Sequence, residues 1–176
     1  GHHLPMSTDS IMAQYYAEEI SKRTGIMVLP KLSYSVLFSL RRFPGTLYLE
    51  NDTFVQTLLD LAYALESHGI QYVYLVLGHH GAAGACSLAE RQLIINEADI
   101  RFVVLALPGI KDTIKEVCTS KRWHGDLFHA EEIETSIMLA VFPELVNMEK
   151  AVCEYPEKNP LMGSMSEYWD IRGKSG

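Results

Sequence analysis

The chain has 176 residues, of which 48% are apolar and 21% charged, a composition typical of one globular domain. A formal net charge of −7 without any Lys/Arg cluster argues against nucleic acid or an anionic membrane as partner and favours a small-molecule substrate. The three cysteines form no Cys-x-x-Cys pair, which argues against a disulfide framework or a thiolate zinc site. With no export signal and no apolar run long enough to span a bilayer, we expect a cytoplasmic protein.

The first third of the chain predicts a helix followed by irregular structure. The apolar spacing predicts a helix from Thr8 or Asp9 to about Arg23, with Gly25 as its stop. A short strand is predicted over 26–29. A long loop then ends in a turn at 43–46 and leads into strand-like residues 47–49.

From residue 51 onward, strands and helices alternate. The predicted elements are a helix over 51–67 with Asn51 or Asp52 as cap, a strand over 71–77, a helix over 84–97, a strand over 102–107, and helices over 111–118 and 131–142. The nearly unbroken apolar run at 71–77 is typical of a strand buried on both faces. The alternation predicts the α/β class, a mostly parallel sheet with helices on both faces.

Three clusters could carry chemistry, and the first is Gly1-His2-His3-Leu4-Pro5-Met6-Ser7-Thr8-Asp9. Asp9 comes immediately at the start of the predicted helix, where an N-cap role alone would explain it. The leading Gly-His-His could also be the remnant of a purification tag.

The second cluster, Gly78-His79-His80-Gly81, follows the apolar strand at 71–77. Ligands in open α/β sheets collect at the carboxyl ends of strands. Adjacent side chains there point in different directions, so we expect one of the two histidines to bind a metal and the other to contact substrate. A hydrogen-bonded loop histidine is the alternative.

The third cluster runs from Trp123 to Ser136 and enters the last predicted helix. The electrostatics of a helix N-terminus explain Glu131 and Glu132. Glu134 lies in the apolar part of the helix, where a carboxylate needs a positive partner or a metal. Histidine, aspartate and glutamate without cysteine suit Zn²⁺, Mn²⁺ or Fe²⁺, which activate water for hydrolysis.

The three clusters resemble the motifs of the creatininase (creatinine amidohydrolase) family. Gly1 to Asp9 is similar to the first family motif, Glu-x-His-Gly-x-His-Leu-Pro-x-x-Thr-Asp, from its first glycine onward. Residues 77–82 are similar to the second motif, Asn-Gly-His-Gly-Gly-Asn. Residues 129–136 are similar to the third, His-Ala/Gly-Gly-x-x-Glu-Thr-Ser. The resemblance implies a three-layer α/β sandwich and, in residues 1–176, a single domain without the family's first strand and last helix. It also implies a homo-oligomer, commonly a hexamer.

The resemblance further implies a divalent metal site, with Zn²⁺ as the first choice and Mn²⁺ or Fe²⁺ as alternatives. Asp9 would bridge two ions, His79 would bind one of them, and Glu134 would complete the ligand set. The family's Glu-x-His ligand pair would lie before Gly1. In family members with a glycine two places after the metal-binding histidine, the glutamate that corresponds to Glu134 completes the site. Gly81 occupies that glycine position here.

The implied reaction is attack by metal-activated water on the carbonyl of a small cyclic amide or a related C–N bond. His129 would assist proton transfer, Asp126 would orient it, and His80 would contact the substrate. Gly125 and Phe128 replace a tryptophan and a catalytic glutamate of creatininase, which argues against creatinine itself. The alternatives are a formamide deformylase, a hydrolase that opens the ring of 3-dehydro-scyllo-inosose, and a non-catalytic binding subunit.

Overall fold

The computed structural model describes residues 1–105, 109–120 and 129–154, which divide between two compact units. One unit comprises Asp9–Leu37 and Leu47–Ala106, and we call it the sheet unit. The other comprises Gly1–Thr8, Phe38–Thr46 and Leu107–Gly176, and we call it the helix unit. Each is described by itself, and the single domain stays a prediction.

The sheet unit contains a parallel strand–helix–strand arrangement. Its elements are α1 (Thr8–Thr24, whose first residue belongs to the helix unit), α2 (Asn51–Glu66), β1 (Tyr72–Val76), α3 (Ala83–Ile95) and β2 (Arg101–Leu105). The two strands pair in parallel, with Tyr72 beside Arg101 and Val76 beside Leu105. Parallel neighbours need a crossover, and α3 supplies it, so the predicted α/β class is confirmed.

The core of the sheet unit lies where α2, α3 and β2 meet. Ala62 in α2 and Ala89 in α3 are fully buried, and their short side chains allow the two helices to pack closely. Leu93 and Ile100 are equally buried and fill the space beside them. This packing supports the loop that follows β1.

One face of β1 is exposed within the described residues, so the predicted burial of both faces is wrong. Val73 and Leu75 pack against the core, whereas Tyr72 and Tyr74 are 60% and 45% exposed. Tyrosine is counted as apolar when a sequence pattern is read. Its hydroxyl can nevertheless remain in water while its ring packs on the surface of the strand. The alternation was therefore present but hidden by the tyrosines.

The predicted helices are confirmed, with small differences at their ends. Gly25 adopts a left-handed φ of 76° and its N–H bonds to the Ser21 carbonyl, as expected for a helix stop. The prediction that Asn51 or Asp52 caps α2 is wrong. The cap position is occupied by Glu50, whose side chain makes no capping hydrogen bond.

The two short strands predicted before α2 are wrong. Residues 26–29 and 47–49 contain no strand, and Met27 is 75% exposed. A backbone hydrogen bond of 2.9 Å, from the Leu49 N–H to the Ser35 carbonyl, links this region to the preceding loop. A short apolar run indicates strand propensity but does not supply the neighbouring strand that a ladder needs.

The helix unit contains α4 (Ile110–Val117) and α5 (Glu132–Val141), followed by short 3₁₀ turns at Pro143–Leu145 and Met148–Lys150. The predicted turn at 43–46 is confirmed: Gly45 has a φ of 87° and the Thr46 N–H bonds to the Phe43 carbonyl at 3.2 Å. Across the parts of the chain that the structure describes, no helix combines the length and apolar composition that crossing a membrane requires.

Ala130 lies just before α5 in the left-handed region, with a φ of 48°. Glycine adopts this conformation without steric cost, whereas an L side chain does not. We expect Ala130→Gly to raise the free energy of unfolding by up to about 1 kcal/mol. The matched change Ala17→Gly, inside α1, should lower it by about 1 kcal/mol. Urea denaturation measures both, and equal losses would contradict the backbone conformation at Ala130.

Candidate metal centre

The sheet unit brings the first two sequence clusters together through Asp9 and His79. Asp9 lies in the first turn of α1 and His79 in the loop after β1, with 3.2 Å between Asp9 Oδ2 and His79 Nδ1. A carboxylate accepts hydrogen bonds, so a proton on His79 Nδ1 would face Asp9. The lone pair would then be on Nε2.

The Nε2 atom of His79 is buried and has no hydrogen-bond partner among the described residues. Buried polar nitrogens are nearly always paired, so an unpaired one calls for a ligand. An imidazole whose other nitrogen donates to a carboxylate is a common setting for a metal-binding histidine. These two residues therefore fit a divalent metal in the chemistry of their donor atoms.

Two glycines of the second cluster are required by close approaches. A Cβ atom at Gly78 would lie 2.0 Å from the carbonyl oxygen of Asp9, so only glycine permits this contact between the loop and α1. A Cβ atom at Gly81 would lie 2.5 Å from His79 Nε2. Glycine at 81 thus keeps the unpaired nitrogen free of a neighbouring side chain.

The two adjacent histidines lie in different environments. The side chain of His79 is 16% exposed and contacts Asp9, whereas His80 is exposed and begins a short 3₁₀ turn, His80–Ala82. The predicted substrate contact of His80 stays a prediction.

Glu134 belongs to the helix unit, where its carboxylate already has a partner. The Ala130 N–H donates to Glu134 Oε2, while Ile133 and Thr135 beside it are buried. We expected this carboxylate to need a positive partner or a metal. A backbone amide supplies part of that stabilisation. Its predicted role as a metal ligand stays a prediction.

Glu131 and Glu132 have structural roles, as predicted. Glu131 caps α5, and its side chain accepts a hydrogen bond from the Ile133 N–H at 3.3 Å. Glu132 accepts hydrogen bonds from the N–H groups of Thr119 and Ser120 at 3.1 and 2.8 Å. These backbone donors lower the pKa of Glu132 to about 2.

The structure brings together only part of the predicted site. No three His, Cys, Asp or Glu side chains within residues 1–105, 109–120 and 129–154 form a metal-binding group. His129 is half-buried, while Asp126, Gly125 and Phe128 lie outside the described residues. The predicted set of three ligands and the proton-transfer pair stay predictions.

His3 is a buried residue whose long-range contact the sequence interpretation did not predict. It is 7% exposed, and its Nε2 lies 2.7 Å from the Thr135 hydroxyl, 132 residues away in the chain. A purification-tag remnant does not make such a buried long-range contact, so this interpretation is wrong for His3. Its position in the His-Leu-Pro motif was the signal that could have identified it.

A carboxylate–imidazole pair at the end of a parallel strand places the chain among α/β proteins with a candidate metal site. The family model "Creatininase: Creatinine amidohydrolase" matches residues 1–176. The chain belongs to the creatininase family.

Curated relatives are longer than this chain. It is 29% identical over 173 residues to a creatinine amidohydrolase of Pseudomonas putida, covering 91% of this chain and 66% of that protein. It is 25% identical over 160 residues to a 3-dehydro-scyllo-inosose hydrolase of Thermotoga maritima, covering 89% and 51%. The chain thus spans between about half and two thirds of these relatives.

Solved creatininase structures share the fold. A crystal structure of creatinine amidohydrolase matches with a TM-score of 0.73 and 27% identity, over 92% of this chain and 68% of that one. A structure named "Creatininase Mn" gives 0.73 and 26% over the same shares. A glutamate-to-glutamine variant described as Zn-Zn type gives 0.67 and 26%, again over 92% and 68%.

The close approach at Gly78 predicts a large effect of a single methyl group. We expect Gly78→Ala to lower the free energy of unfolding by about 1–3 kcal/mol, because the new Cβ collides with the α1 backbone. Gly84→Ala is the matched control: nothing lies within 4 Å of its Cβ position, and it belongs to α3. It should be neutral or stabilising by up to about 1 kcal/mol. Thermal and urea unfolding measure both variants, and equal behaviour would contradict the contact.

The cysteines should differ sharply in reactivity. Cys86 is 2% exposed and burial raises its pKa to about 11, whereas Cys153 is exposed. Because the thiolate is the reactive form, a pKa raised by about two units slows alkylation roughly a hundredfold before burial is counted. Iodoacetamide labelling followed by mass spectrometry at pH 8 should modify Cys153 first. Rapid labelling of Cys86 in the folded protein would contradict its burial.

Proposed function

We propose that this chain is part of a metal-dependent hydrolase in which activated water attacks the carbonyl of a small cyclic amide or a related C–N bond. The observation that carries the proposal is the unpaired, buried Nε2 of His79, whose Nδ1 contacts Asp9. The Mn and Zn-Zn forms among the similar creatininases support a divalent metal. Zn²⁺ is our first choice, because imidazole and carboxylate donors suit it.

The residues of this chain would prepare the site in a defined way. A proton on His79 Nδ1 would face the Asp9 carboxylate 3.2 Å away, which would leave Nε2 as the donor atom. Glycine at position 81 avoids a side chain that would collide with that nitrogen. A bound divalent ion would lower the pKa of water and polarise the substrate carbonyl.

Proton transfer and substrate recognition are assigned to other residues. His129 would pass a proton to the leaving nitrogen, Asp126 would orient His129, and exposed His80 would contact the substrate. Glu134 remains the predicted third ligand. A homo-oligomer, predicted from the family resemblance, remains part of the proposal.

A second substrate class is supported by the similarity to the Thermotoga maritima 3-dehydro-scyllo-inosose hydrolase. The replacements at Gly125 and Phe128 point away from creatinine and favour a different small carbonyl compound. Turnover of creatinine, formamidopyrimidines and keto-inositols by the full-length protein, loaded with Zn²⁺ or Mn²⁺, would separate these activities. Turnover of creatinine alone would overturn the second substrate class.

Metal binding can be tested with a matched pair of histidine variants. We expect His79→Gln to weaken the binding of Zn²⁺ or Mn²⁺ by at least about tenfold, because the donor nitrogen is lost. His68→Gln removes an exposed histidine just beyond α2 and should leave the affinity unchanged. Isothermal titration and elemental analysis of the full-length protein provide the measurement.

The same experiment includes the outcomes that contradict the proposal. Equal affinities in the two variants would remove His79 from the site. If the unaltered protein bound neither ion and its stability were unchanged by a chelator, the non-catalytic binding subunit would become the better interpretation.

A further inference from the structure

The helix unit contains a second buried imidazole, His3, that the proposed chemistry does not use. Nε2 contacts the Thr135 hydroxyl at 2.7 Å, and the His3 carbonyl accepts a hydrogen bond from the Asn147 N–H at 2.9 Å. Side chain and backbone of His3 are thus both anchored to segments more than a hundred residues away.

The Nδ1 and Cε1 atoms of the His3 ring lie close to Gly1. A Cβ atom at Gly1 would lie 2.8 Å from His3 Cε1 and 2.9 Å from Ala130 Cβ, so both residues are close to the side-chain position of Gly1. Ala130, held in its left-handed conformation, donates its N–H to the Glu134 carboxylate. The Gly1 backbone thus lies close both to His3 and to Ala130, whose N–H binds the predicted ligand Glu134.

The His3–Thr135 hydrogen bond restrains the helix at the residue next to Glu134. Thr135 is 8% exposed, and a hydrogen bond between two buried groups has a defined direction that apolar packing does not impose. Burial also lowers the pKa of His3, which favours the neutral ring.

We propose that His3 is a positioning residue: through Thr135 it fixes the first turn of α5, so that Glu134 and the preceding turn at His129 and Ala130 keep their arrangement. This inference rests on the proposed function, because it assigns Glu134 to metal binding and His129 to proton transfer. His3 itself touches neither substrate nor metal in this role. Its effect is transmitted through the helix.

The test compares variants of Thr135 in the full-length protein. Thr135→Val keeps the shape of the side chain but removes the hydroxyl, and Thr135→Ser keeps the hydroxyl. We expect Thr135→Val to weaken Zn²⁺ or Mn²⁺ binding by about 10- to 100-fold, the range known for groups that orient metal ligands. Thr135→Ser should restore most of the affinity.

A double variant separates positioning from simple stabilisation. His3→Leu combined with Thr135→Val removes both polar partners, so no buried group is left unpaired and stability should return close to that of the unaltered protein. Metal affinity should remain low, because the directional restraint is gone. Recovery of affinity together with stability would show a purely structural contact and overturn the proposal.

Hydrogen exchange at the Ala130 amide gives a measurement that requires no metal. This N–H donates to Glu134, so loosening the turn should accelerate its exchange by at least about tenfold in Thr135→Val but not in Thr135→Ser. If the unaltered protein binds no metal, the proposed function fails, while accelerated exchange would still support the positioning of this turn by His3. Unchanged exchange would overturn the positioning role irrespective of activity.

Discussion

The contact between the backbones of Asp9 and Gly78 is the constraint on which the candidate centre depends. No side chain larger than hydrogen fits at position 78, because the Asp9 carbonyl occupies the space. This approach joins the first turn of α1 to the loop after β1, and it brings a carboxylate and an imidazole from distant parts of the sequence to 3.2 Å. The packed core of α2, α3 and β2 supports the loop that follows β1.

His3 and His79 each have one contacted ring nitrogen and one buried nitrogen without a hydrogen-bond partner among the described residues, yet their settings differ. His79 contacts a carboxylate, which directs its free nitrogen toward cation binding. His3 contacts the neutral hydroxyl of Thr135 and lies close to Gly1. These neighbours suit a structural role. Residue type alone does not separate these roles; the partner of each ring does.

The helices could be predicted from the sequence, and the reason is that their signals are local. The signals are apolar spacing, a glycine stop and the proline after α5, and each acts within a few residues of its helix. The observed bounds of α1, α2, α3 and α5 agree with the predicted ones to within two residues. Strands depend on a neighbour that the local sequence does not specify. The run at 26–29 therefore failed, whereas the run at 71–77 found its partner in β2.

The sequence by itself determined the α/β class and the candidates Asp9 and His79, because motif order, the apolar run of β1 and the glycine loop after it can all be recognised from local residue types. Only the tertiary structure decided which nitrogen of His79 is available, that Glu134 already accepts a hydrogen bond from Ala130, and that His3 is buried against Thr135. These facts depend on contacts between residues far apart in the chain. Chain folding, and not spacing along the sequence, fixes the partner of each polar group.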